Sequence, residues 1–422
     1  MGHLVGKDIY RKLGKKLDGL TVRTPWNDTL HEILKELYTQ VEADIIIKMP
    51  YGLASARKIA KVTGYEESVL QPHLDRLADK GLLVDVWTGN RYVYVISPMV
   101  IGIFEFTMMR TGDGVNSEKC AKLFKEYLVE SPAFWDANFS SGQKMSLMRA
   151  MPHEGTMEDY MEVLDYEKAA EIIQANTKFS IGLCSCRHEK SHTGDKHCDV
   201  PLETCSTFGN GAEYLIRHNL AKEVSKSEML ENLARSRELG LVINADNVQN
   251  DVGFMCHCCG CCCNALLGIS RHGYEHAVMT SSYIACVNED TCTGCSLCEK
   301  ACPVNAITMA PLADNPKRKK AVVDQTLCLG CGVCVLKCRP ESMKLKKREQ
   351  RVIHPEDTFE RIIIQCLEQG TLQNFIFSNP NELSHKFMRG FVGGFLKLPP
   401  IKKALMSETL KSRFLSAIRK RA

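Results

Sequence analysis

Cys292-Thr-Gly-Cys295-Ser-Leu-Cys298-Glu-Lys-Ala-Cys302 and Cys328-Leu-Gly-Cys331-Gly-Val-Cys334-Val-Leu-Lys-Cys338 repeat one spacing, C-x2-C-x2-C-x3-C. Thiolates are soft ligands for zinc and iron, and a tight run gathers several of them at one place. Disulfide frameworks do not use loops this tight. A zinc ribbon pairs one CxxC with another and has no use for a third and fourth cysteine at these offsets. Both of these readings fit the pattern less well than a metal–thiolate site that uses all four cysteines of a run.

The two runs resemble the bacterial-type ferredoxins, which hold two [4Fe–4S] clusters. In that family three cysteines of a run wrap one cluster and the fourth reaches the other. The resemblance covers residues 281–349. It implies Cys292, Cys295, Cys298 and Cys338 around one cluster, and Cys328, Cys331, Cys334 and Cys302 around the other. Gly294 and Gly330 fall where the backbone must turn tightly beside the cluster. Proline follows the fourth cysteine directly in the first run, at Pro303. In the second it is displaced by one, to Pro340.

Ten more cysteines precede this segment. Cys184, Cys186, Cys198 and Cys205 lie within one stretch; Cys256, Cys258, Cys259, Cys261, Cys262 and Cys263 crowd into another. Such a run has no packing role. Adjacent cysteines do not easily reach one iron of a cubane, so the thiolates are expected to divide among sites. One or two further iron–sulfur sites are expected, with zinc as the alternative. Cys258-Cys259-Gly260 resembles the Cys-Cys-Gly motif of heterodisulfide-reductase-type iron–sulfur proteins. The downstream CxxC of that motif would coincide with Cys292 and Cys295. Arg187 is placed to offset thiolate charge or to form an ordinary ion pair. His188, His192 and His197 read as residues of a solvated polar loop.

The elements that must position these residues follow from periodicity and caps. Apolar content is 44% and charged content 25% of 422 residues, the proportions of a globular protein. The expected fold class is α+β and multi-domain. The expected segments are a basic arm (1–27), a winged-helix-like domain (28–110), a mostly helical cysteine-rich middle (111–280), the two-cluster ferredoxin domain (281–349) and a helical basic tail (350–422). In the middle, Ser225-x-x-Glu228 is a capping box and Gly240 a helix stop. A helical hairpin between the two cysteine groups is expected to bring them together. Cys120, Cys286 and Cys366 stand alone and read as buried free thiols.

Residues 28–110 resemble the winged helix-turn-helix fold. A helix is expected over 28–49, a second over 55–63 ending at Gly64, and a third over 66–80. The hairpin 82–86/92–96 turns at Thr88-Gly89-Asn90. Charge argues against DNA: the third helix sets Glu66, Glu67, Asp75 and Asp79 against Arg76 and Lys80, whereas a recognition helix needs cations. A protein-docking or architectural module fits better.

The formal charge is +4, yet residues 386–422 alone carry ten Lys and Arg against one acid, Glu408. The basic surplus therefore belongs to the tail. Leu410, Phe414 and Ile418 recur on one helical face amid Lys411, Arg413, Arg419, Lys420 and Arg421. Three roles stay open for this helix: packing on its own chain, docking a partner, or lying on an anionic membrane surface. The longest apolar stretch, 92–109, is interrupted by Ser97-Pro98 and Glu105, too short to span a bilayer. With no apolar leader after Met1 and with clustered cysteines, the expectation is a cytoplasmic protein.

The whole chain resembles the multi-domain [4Fe–4S] proteins of anaerobic bacteria and archaea. That implies low-potential electron transfer with redox partner proteins. Two alternatives are a catalytic reductase subunit with an open-site cluster and a redox-sensing DNA-binding regulator.

Overall fold

The structure, a computed structural model, describes residues 8–112, 114–140, 142–157, 164–312, 318–350, 352–396, 398–405 and 415. It is a mixture of helix and sheet in two compact units. One comprises residues 1–145 with 359–422, the other 146–358. The expected boundaries at 110/111 and 280/281 fall inside these units.

In the first unit, the helix expected over 28–49 is two helices, Asp28–Leu37 and Gln40–Lys48. Asn27 caps the first, accepting the Leu30 N–H at 2.8 Å. Tyr38 turns extended, and Thr39 with Glu42 forms a capping box that starts the second. The local cap overrides an apolar pattern that runs through both. Glu42 is fully buried and is paired with Lys80 at 2.8 Å. Helix Ala56–Thr63 stops at Gly64, whose φ is 80°, and helix Glu67–Asp79 follows. Strands β1 (Ala54–Ser55), β2 (Leu83–Trp87) and β3 (Tyr92–Ile96) form a sheet in the order β1-β3-β2. The later part of the unit is helical: Thr358–Gln369, Leu372–Ile376, Leu383–Leu396 and Pro399–Leu405. The first of these begins three residues after Pro355. Most of the basic helix expected over 402–421, with Leu410, Phe414 and Ile418, lies outside the described residues.

The second unit corrects the expectation of a mostly helical middle. Six antiparallel strands form one sheet in the order β4-β8-β9-β6-β5-β7. They are β4 (Met148–Met151), β5 (Phe179–Leu183), β6 (Glu203–Phe208), β7 (Ala221–Glu223), β8 (Val242–Asp246) and β9 (Phe254–Cys258). The strands hide from pattern reading because their buried positions are often polar. Ser180 and Thr207 hydrogen-bond one another at 2.5 Å, and Ser206 bonds His257 at 2.9 Å. Hydrophobic alternation is weak in most of them, with β5, Phe-Ser-Ile-Gly-Leu, the exception. Phe179, Phe208, Ile243, Ala245 and Met255 form the apolar core with Ile172, Ile173 and Met229 from the helices Ala169–Gln174 and Lys226–Glu238. The latter helix starts at the expected Ser225–Glu228 capping box.

The ferredoxin-like segment is built on two hairpin-like pairs. β10 (Tyr283–Val287) pairs antiparallel with β13 (Met343–Lys347), and β11 (Ile307–Pro311) with β12 (Lys319–Val323). Into the start of β12 the sequence runs Lys317-Arg318-Lys319-Lys320, of which Lys317 lies outside the described residues. This segment is packed into the same unit as the six-stranded sheet. Met157 bridges Leu345, the Ser282 N–H donates to Glu167 at 3.0 Å, and the His153 N–H donates to the Cys331 carbonyl at 3.0 Å.

Candidate metal centre

Each cysteine run makes the same backbone path. Gly294 and Gly330, at φ 68° and 69°, sit one residue before the second cysteine. Ser296 and Gly332, at 60° and 82°, follow it. Left-handed residues so close together turn successive N–H groups toward one concavity. A side chain at Gly330 would collide with the Tyr283 carbonyl and Ser281 Oγ. Short helices Leu297–Ala301 and Val333–Leu336 then carry the third cysteine of each run. Asn305 and Glu341, each three residues after the fourth cysteine, are again left-handed, at 57° and 52°. The displaced proline therefore leaves the turn unchanged.

Two pockets result. One is lined by Cys292, Cys295, Cys298 and Cys338, with Val287, Leu297 and Met309 among its apolar walls. The other is lined by Cys302, Cys328, Cys331 and Cys334, with Val304, Ile307 and Leu345. The chain thus sends the fourth cysteine of each run to the opposite pocket. These are the two sets that the ferredoxin resemblance implies. Four thiols around a pocket with apolar walls, on loops whose left-handed glycines pack too closely against neighbouring chain for a side chain, fit a [4Fe–4S] cluster.

The two pockets differ in exposure. Cys295 is exposed, and the Leu297 N–H draws its thiol below the ordinary range. Cys328, Cys331 and Cys334 are buried, and burial pushes Cys331 up to about 12. Arg348 closes the second pocket's loop. It donates to the carbonyls of Tyr283 at 3.0 Å and Cys328 at 2.5 Å. Sequence reasoning missed Arg348, because an arginine that binds only carbonyls leaves no partner in the sequence.

The ten middle cysteines converge as well, but through the sheet, not through a helical hairpin. Cys205 lies on β6, next to Ser206, which pairs with Met255 of β9; Cys256 and Cys258 follow on β9. Cys184 and Cys263 are the N-cap residues of helices Ser185–Thr193 and Asn264–His272. Cys186 is hydrogen-bonded to Cys263, and Cys256 to Cys205 and Cys258. A second set, Cys198, Cys259, Cys261 and Cys262, gathers in the loops beyond the strand ends.

Arg187 is wholly buried between these groups. It donates to Thr204 Oγ1 at 2.5 Å, to the His257 carbonyl, and to the Cys259 thiol. Cys259 is drawn down to about 4, chiefly by its hydrogen bond with Cys262, with Arg187 adding to it against burial. Cys262 moves up in exchange. Thiolate character of this kind is what a metal requires of its ligands. Behind the helix starts, Lys190 and Glu189 form a buried pair at 2.7 Å, and Asn264 bonds both, at 3.0 and 2.8 Å. That triad fixes the two helices together.

His257 points to the other side of β9. Burial lowers its pKa to about 3, and its Nε2 bonds Ser206. His188 and His192 are not loop residues: they lie one turn apart on helix Ser185–Thr193, ring to ring at 4.7 Å. Cys120 and Cys366 are buried, but Cys286 is only half-buried on β10.

Residues 291–341 match the 4Fe-4S dicluster domain family. This segment is an iron–sulfur domain. Its role is iron–sulfur electron transfer. No curated protein and no solved structure matches the chain. Among the described residues, no helix is long and apolar enough to cross a membrane.

Proposed function

We propose that the chain is a low-potential electron-transfer protein. In it, Cys292, Cys295, Cys298 and Cys338 hold one [4Fe–4S] cluster, and Cys302, Cys328, Cys331 and Cys334 hold a second. The observation that carries this reading is the crossing of the fourth cysteines, Cys338 to the first pocket and Cys302 to the second. A bound cluster takes up and returns one electron. The residues decide where and how readily. The exposed Cys295 side is the face open to a soluble redox partner. The second pocket, whose Cys328, Cys331 and Cys334 are buried, is the less accessible of the two. The Ala306 N–H donates to Cys302 Sγ at 3.2 Å, and hydrogen bonds of this kind to sulfur tune the potential. The ten cysteines of 184–263 add at least one further metal site, beside the second pocket: a Cβ on Gly260 would stand 3.1 Å from the Pro303 backbone.

Residues 28–110, with their three-stranded sheet and acidic helix, serve in this reading as a docking or architectural module. The test is iron and sulfide analysis of the full chain purified without oxygen, followed by EPR after reduction. About eight irons from the two pockets are expected. The variant Cys298→Ser/Cys338→Ser should lose one cluster's signal and keep the other. A variant that leaves the iron count and both reduced signals unchanged would reject the assignment.

A further inference from the structure

Cys198, Cys259, Cys261 and Cys262 differ from every other cysteine set of the chain in how closely their sulfurs approach. All four Sγ atoms lie within 4.8 Å of one another. The individual separations are 3.6 Å for Cys198–Cys259, 3.9 Å for Cys198–Cys262, 3.7 Å for Cys259–Cys261 and 3.5 Å for Cys261–Cys262. Among the described residues, it is the one group of three or more Cys, His, Asp or Glu that closes up this tightly.

The distances discriminate between cofactors. A tetrahedral ion with metal–sulfur bonds of about 2.3 Å has ligand sulfurs about 3.8 Å apart. The observed separations bracket that edge. In a cubane each cysteine binds a different iron, so the four sulfurs stand at the corners of a much larger tetrahedron. The chain supplies its own comparison: the sulfurs of the two ferredoxin-like sets surround pockets and do not close up in this way.

We propose that Cys198, Cys259, Cys261 and Cys262 bind a single divalent ion of the zinc class in a closed tetrathiolate site. Four thiolates leave no open position, which makes the site structural. It joins two pieces of chain that lack regular structure: the segment around Cys198, between helix Ser185–Thr193 and β6, and the loop that leaves β9. Arg187, donating to Cys259, offsets part of the net negative charge of the loaded site. Gly260 lies between two of the ligands and against Pro303, the residue after Cys302. The ion would therefore hold the loop that packs on Pro303, a residue lining the second pocket. The proposal does not depend on whether the 292–338 segment carries electrons.

The test uses the full chain, purified anaerobically. One zinc per chain is expected beside the iron. Zinc K-edge absorption should show four sulfurs at about 2.3 Å. In Cys261→Ser, zinc should fall at least tenfold while iron, sulfide and the reduced EPR signals hold. Zinc that is absent from the wild type, or bound by nitrogen and oxygen, overturns the proposal. So does a Cys261→Ser chain that loses iron and sulfide instead of zinc. The K-edge measurement needs no variant, so it decides even if the substituted chain fails to fold.

Discussion

At the scale of single residues, the buried charge pairs are the least forgiving positions. Glu42 has no exposed side-chain surface, caps the helix Gln40–Lys48 through the Thr39 N–H at 2.8 Å, and meets Lys80 at 2.8 Å. Burial works to raise its pKa. The hydrogen bonds from Lys80 and Thr39 outweigh burial and hold it below the ordinary value. A carboxylate depressed in the folded state adds stability above its unfolded pKa, and that stability is lost as pH falls through the folded value. Lys80→Met leaves the carboxylate buried without its cation and is expected to cost about 3 kcal/mol in urea unfolding at pH 7. The deficit should shrink on acidification below the ordinary glutamate range, because the wild type loses the same interaction there. A deficit independent of pH would mean that Lys80 acts through packing alone.

At the scale of elements, glycines of one conformation have two different reasons to exist. Gly64 and Gly330 are both left-handed, at φ 80° and 69°. Open space surrounds a Cβ on Gly64, so Gly64→Ala should cost only the conformational penalty, about 1–2 kcal/mol. Gly330→Ala meets the Tyr283 carbonyl, so it should displace the loop of the second pocket and halve the iron content. Equal iron in wild type and Gly330→Ala would show that the loop yields. Ser225→Ala, which removes the acceptor of the Glu228 N–H, should cost about 1 kcal/mol in thermal or urea unfolding. Caps and turns of this kind were legible in the sequence, since they are set by a few adjacent residues; so were the two cysteine runs. The six-stranded sheet was not. Its β6 reads Glu-Thr-Cys-Ser-Thr-Phe, and its polar inward positions are satisfied by partners on β5 and β9 that no local pattern reveals. The same blindness hid the separation of Cys198, Cys259, Cys261 and Cys262 from the other middle cysteines, because it arises where strand β9 ends.

At the scale of the whole molecule, the chain's two ends belong to one unit, and every metal-ligand candidate belongs to the other. The first unit is closed by contacts across most of the sequence. The Asn374 amide donates to the Gly19 carbonyl at 2.8 Å, the Tyr51 N–H to the Ser378 carbonyl at 3.2 Å, and the Met145 N–H to Glu368 at 2.8 Å. Periodicity cannot register pairings of such range, which is why the end of the chain read as a separate tail. Leu405 and Leu415 pack against the cluster of Ile363, Cys366, Leu367 and Leu372. All eighteen clustered cysteines lie within 146–358. Removing residues 402–422 should therefore lower the unfolding temperature of the first unit by a few degrees, through the loss of two partly buried leucines. Iron, sulfide and zinc per chain should stay at wild-type values. A truncated chain that loses metal in proportion to its stability would show that the two units fold as one, and that the tail's basic surplus acts on the metal centres through the fold instead of on an outside partner.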